Sequence, residues 1–141
     1  MAIQPDNIYR ELQETVAAEL VKAGVAAAVQ IEPGTAKLGN DALNDSGLFV
    51  VVGYPTVEIQ ENRQALVEIP VEAVVNPEMA NEDGFDLALR ILGALDERQL
   101  VLEWWTALRS TGVYPTGTED GLVVWTVRLQ TRTVQTVDNT I

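Results

Sequence analysis

The chain has 141 residues, nine Lys and Arg against 21 Asp and Glu, a formal net charge of −12, and neither cysteine nor histidine. Absent cysteine excludes disulfides, thiol nucleophiles and thiolate metal sites; absent histidine excludes Ser-His-Asp and Cys-His catalysis and the H-E-x-x-H zincins. A hydrophobic fraction of 47% is enough to build a core, so residues 1–141 are expected to form one acidic folded domain.

Charge also bears on partners. Sequence-independent nucleic-acid binding draws its affinity from counterion release at a basic surface, and here the nine cations are scattered from Arg10 to Arg132. DNA or RNA binding is therefore not expected, beyond contact with a nucleic acid that passes nearby. Met1 to Asn7 carries no basic stretch of the kind that opens a secretory signal. No apolar run approaches the roughly 20 residues that span a bilayer. Assembly inside a cell, without a membrane partner, is the expectation.

Along the chain, Ile8, Leu12, Val16 and Leu20 recur at helical spacing, which predicts an amphipathic helix over 8–23 ended by Gly24. Val25 to Ile31 reads as a short strand stopped by Pro33-Gly34. Residues 32–47 form a long irregular loop, in which Lys37, Asn40 and Asp41 are candidates for docking a partner. Gly34 to Gly39 matches G-x-x-x-x-G, but Asn40-Asp41 stand where a phosphate loop needs Lys and a hydroxyl, so that reading fails.

Residues 48–75 predict a β-hairpin. Face parity selects a three-residue loop, Glu61-Asn62-Arg63, which sets Val57 opposite Val67 and Ile59 opposite Ala65. Pro70 cannot donate to a ladder and implies an edge position or a bulge. Glu58, Glu68 and Glu72 share one face, either a solvated row or the lining of an interface or channel.

A second helix is predicted over 83–96, with Phe85, Ala88, Leu89, Ile91, Leu92 and Leu95 on a wide apolar arc. Asn81 and the acids Glu82, Asp83 and Asp86 at its start suit a helix cap better than a cation site. Residues 97–109 are compatible with helix or strand. A strand from Thr106 to Tyr114, a turn over Pro115 to Gly121 and a long strand from Leu122 follow. Trp104 and Trp105 are adjacent, so in a strand one enters the core and the other faces a neighbour or a second small cluster. With Arg128 and Arg132, on the outward side of the last strand, they are the candidate contact residues. The tail, 137–141, is expected to be mobile. These elements describe an α+β domain: about five strands in a mainly antiparallel sheet, with two helices packed on one face.

Little catalytic chemistry is visible. No pair among the carboxylates is singled out, Ser46 and Ser110 lack a G-x-S-x-G setting, and no G-x-G-x-x-G follows a strand. No cofactor or metal is expected.

The helix DGFDLALRILGAL at 83–95 and the run TALRSTGVYPTGTEDGLVVWTVRLQTR at 106–132, with the element order, resemble the tail-terminator (tail completion) proteins of long-tailed bacteriophages. The resemblance implies a structural virion protein assembled in the host cytoplasm. Six copies would form a ring that caps the tail tube, stops its growth and joins the connector or neck proteins of the head. DNA would only pass through the lumen, past Glu58, Glu68 and Glu72. A different oligomeric neck, tube or injection-system component and a small carboxylate-based enzyme or ligand-binding domain are the alternatives.

Overall fold

Helix α1 spans Pro5–Lys22 in the computed structural model, which describes residues 5–26, 29–32, 46–97, 105–119 and 121–133. Leu12, Val16 and Leu20 are fully buried along one side of it. A Schellman motif closes the helix: the Gly24 N–H donates to the Val21 carbonyl at 3.0 Å and the Val25 N–H to the Leu20 carbonyl at 3.1 Å. Gly24 has the φ of +76° that this cap requires. Val25 belongs to the cap, so the first strand, β1, is only Val29–Ile31, shorter than the 25–31 strand expected.

The remaining elements are β2 (Leu48–Val52), β3 (Thr56–Ile59), β4 (Ala65–Val75), α2 (Gly84–Leu95), β5 (Arg109–Glu119) and β6 (Leu122–Arg132). They build one six-stranded sheet in the order β1-β2-β4-β6-β5, with β3 paired to β4 beyond the end of β2. β1 runs parallel to β2 and the other pairings are antiparallel. The class is α+β, with six strands because the first arm of the predicted hairpin is divided in two.

Pro70 causes that division. Val52 pairs with Val71 and Thr56 with Glu68, so three residues, Gly53 to Pro55, stand opposite two on β4. The Gly53 N–H donates to the Pro70 carbonyl at 2.8 Å, which shows that the backbone of Pro70 faces this side. Its missing N–H therefore falls where the partner strand breaks, in a bulge on a central strand rather than at an edge. A Cβ on Gly53 would lie 2.8 Å from Pro70 Cγ, so the close approach needs glycine. Beyond the break, Val57 pairs with Val67 and Ile59 with Ala65, and Arg63 turns the three-residue loop with φ +68°.

β5 differs from expectation. The turn-rich residues from Pro115 onward stay in the strand, and Glu119 pairs directly with Leu122. Register shifts between Ser110 and Gly112 and between Pro115 and Gly117 absorb the misfits. An edge strand has a single ladder to satisfy, so bulges and a proline cost it little. Before β5, Trp105 bridges Thr133, so residues 105–108 run beside the end of β6 rather than as helix.

Both helices cover the face that carries Ala65, Val67, Ile69, Val71, Ala73 and Val75, all buried with residues of α1 and α2 in one cluster. Each fully buried aliphatic side chain contributes about 1.5–3 kcal/mol. α2 buries Gly84, Leu87, Ala88, Ile91, Ala94 and Leu95, while Phe85 and Leu89 are 44% and 42% exposed. The buried stripe of α2 therefore lies to one side of the predicted apolar arc, its 3.6-residue period following 84, 87, 88 and 91. Gly84 lets the indole of Trp125 rest on the start of the helix, where a Cβ would lie 2.5 Å from its Cδ1. Asp83 caps that start, accepting the Asp86 N–H at 2.8 Å.

Candidate functional site

The face of the sheet away from the helices, here the distal face, gathers the polar candidates. Successive strand residues alternate faces, and the register sets Glu58, Glu68 and Glu72 on the distal side together with Arg128, Gln130 and Arg132. Arg109, opposite Gln130, joins them. The three glutamates therefore share their face with three arginines. Arg128 Nε lies 2.7 Å from Glu68 Oε1, and its guanidinium also stands 5.3 Å from the centre of the Tyr114 ring. Glu58 is exposed. Glu72 lies half-buried, and burial first, with the Glu32 carboxylate second, raises its pKa above the ordinary carboxylate range.

Two arginines are differently placed. Arg10, Arg90 and Arg128 are ion-paired with Glu14, Glu82 and Glu68. Arg109 and Arg132 make no ion pair with a described residue, and both line a recess of about 470 Å³ with Leu66, Thr106, Gln130 and Thr131. Thr106 fixes one wall: its N–H donates to the Arg132 carbonyl at 2.8 Å, and its hydroxyl accepts the Arg132 N–H at 3.0 Å. The recess can take a carboxylate or a phosphate by charge-assisted hydrogen bonds. Sequence reading found Arg132 but missed Arg109, because the two meet only through the β5–β6 register.

In strand order the sheet ends at β1 and β5, and the short β3 lies off that path beside β4. Among the described strands β3 pairs only with β4; all four of its residues are exposed, and Val57 and Ile59 leave apolar side chains at 37% and 40% exposure. β5 pairs only with β6 among the described strands. At its start Asp96 Oδ1 accepts the Ser110 N–H at 2.7 Å. Uncovered edges invite another strand. Phe85, which meets Trp125 at 5.0 Å between ring centres, and Leu89 add an exposed apolar strip on α2.

Trp105 is 1% exposed and packs its ring 6.0 Å from that of Tyr9, so it is the member of the pair that fills the core. Trp104, Lys37, Asn40 and Asp41, with residues 137–141, lie outside the described residues. Gln13, also missed, is buried and ties α1 to the break in the sheet: its Nε2 donates to the carbonyls of Gly53 at 2.9 Å and Glu32 at 3.2 Å. A polar residue inside the apolar side of α1 was the available signal. Among the described residues no group of three or more His, Cys, Asp or Glu is arranged to hold a metal ion, and no helix is long and apolar enough to cross a membrane.

No family model matches the chain, and no curated protein matches it. Among solved structures, a chain of the "Virion of native gene transfer agent (GTA) particle" has a similar fold. The TM-score is 0.62 at 17% sequence identity, over 86% of this chain and 93% of that one. At that identity the likeness is one of fold.

Proposed function

We propose that the chain is a structural protein of a phage-like virion, and within it the ring-forming terminator that caps the tail tube, stops its elongation and meets the head-joining proteins. The observation that carries this reading is the fold shared with a chain of a gene transfer agent virion over most of both lengths. Supporting it are the outer sides of β3 and β5, which no described strand covers, and apolar side chains on β3 and α2 that a neighbour would bury. On this reading the partners are further copies of the chain, the tube protein and the neck proteins, and Trp104, Arg128 and Arg132 belong to contacts with them. The chain has no enzymatic role in the proposal.

The distal face is the proposed wall past which DNA slides. Glu58, Glu68 and Glu72 offset the arginines of this face, Arg128 being paired with Glu68, so that phosphates are not held along it; Arg109 and Arg132, at its β5 side, are left for a contact with a neighbour. The test is to add the purified chain to growing tail tubes: capped tubes of fixed length carrying one ring at the end are expected. Rings that never bind tubes would point instead to another neck or injection-system component.

A further inference from the structure

We infer that the outer side of β3 and the outer side of β5 are complementary halves of one contact, in which β3 of one copy lies antiparallel beside β5 of the next and its acids face the arginine recess. The inference rests on the ring reading above and assigns residues to the joint.

Strand sense comes first. β3 is antiparallel to β4, β4 to β6 and β6 to β5, so β3 and β5 run in opposite senses within one chain. Copies related by rotation about an axis along the strands keep those senses. The new neighbours are then antiparallel, and the alternation continues across the joint. The two surfaces differ, so the contact is head-to-tail, the kind that closes into rings.

Face parity agrees. Val57 and Ile59 lie on the helix-covered face, as does Val113, which pairs with Val127. Setting Val57 of one copy opposite Val113 of the next places Glu58 opposite Gly112, on the distal face beside Arg128, the partner of Gly112 within the sheet. Antiparallel sense then carries the strand toward Arg109, so Glu61 approaches the recess. That pairing sets β3 opposite residues 111 to 114, so three of its four pairs fall within Gly112 to Pro115, the regular run between the two register shifts. In a chain of net charge −12, Arg109 and Arg132 are without an acidic partner among the described residues, while Glu58 and Glu61 are exposed acids at the opposite flank. Opposite charges across the joint set its register and oppose contact between like flanks.

The test uses the absence of cysteine as a clean background. Directly opposed strand residues have Cβ atoms about 5 Å apart, within reach of a disulfide or a short thiol cross-linker. Gly112 accepts a side chain, since its nearest neighbour to a Cβ would be Tyr114 at 3.8 Å. Glu58→Cys and Gly112→Cys chains are made separately, each with its Tm checked against the parent, then oxidised alone and mixed. Covalent dimers are expected only in the mixture, and a ladder of higher species from the double variant. Arg109→Glu in the Gly112→Cys chain is expected to lower the cross-linked yield about tenfold, and Glu61→Arg added to the Glu58→Cys chain to regain it, because Glu61 is the acid that the register brings to Arg109. Rings in images without a cross-link overturn this joint and leave the ring reading standing. Self-linking of either single variant shows a two-fold contact and overturns it. A chain that never assembles overturns both. If Arg109→Glu and Arg132→Glu leave cross-linking intact but abolish retention on a DNA column, the recess serves nucleic acid and its place in the joint is refuted.

Discussion

Replacing Gly53 by alanine probes the point on which the direction of β3 depends. Its added Cβ would sit 2.8 Å from Pro70 Cγ, against a comfortable carbon–carbon separation of about 3.5–4.0 Å. The proline ring cannot swing away, so the backbone of residue 53 must move by roughly 1 Å. That movement stretches two bonds, Gly53 N–H to the Pro70 carbonyl at 2.8 Å and Gln13 Nε2 to the Gly53 carbonyl at 2.9 Å. Overpacking costs about 1–3 kcal/mol and a weakened hydrogen bond about 1 kcal/mol more, for a total of about 2–4 kcal/mol. At roughly 2–4 °C per kcal/mol, Tm should fall by about 5–15 °C in a calorimetric or dichroism melt. Pro70→Ala removes the obstructing ring carbons, so the double variant should be more stable than the sum of the single losses by about 1 kcal/mol or more. A Gly53→Ala chain within about 0.5 kcal/mol of the parent, or strict additivity in the cycle, would refute the role given to this close approach.

Two smaller changes test other joints. Asp83→Ala removes the cap at the start of α2 and should cost about 1 kcal/mol in chemical denaturation, while Asp83→Asn should retain most of the parent stability. Glu72 binds its proton more tightly in the folded chain than in the unfolded one, so stability falls as pH rises from the ordinary carboxylate range through the raised pKa. Glu72→Gln should therefore melt higher than the parent at pH 7 and converge with it below about pH 4; a lower melting temperature at pH 7 would contradict the burial of this carboxylate.

Most of the scaffold can be read from spacing alone. The helical recurrence of Leu12, Val16 and Leu20 and the alternation along β4 and β6 each specify one buried face, and face parity was enough to pair Val57 with Val67. β5 was legible only in part, because Pro115 and Gly117 carry turn propensities that an edge strand absorbs through bulges. The division at Gly53 depends on Pro70 from a strand 17 residues on, and only the register given by Gly53 N–H and the Pro70 carbonyl brings them together. The same holds for the candidate site. Glu58, Glu68 and Glu72 fall on one face by parity, but the pairing of Glu68 with Arg128 and the meeting of Arg109 with Arg132 are cross-strand facts that need the β4–β6–β5 order. The adjacency of two tryptophans says that they diverge in a strand; it does not say that Trp105 is the one against Tyr9.

The most direct measurement is the native mass of the purified chain together with images of the same sample. The account predicts a closed ring of identical copies, six if the terminator reading holds, that persists on dilution and is dispersed by Arg109→Glu. A monomer at high protein concentration, with β3 and β5 still open to exchange their amide hydrogens with solvent, would contradict it.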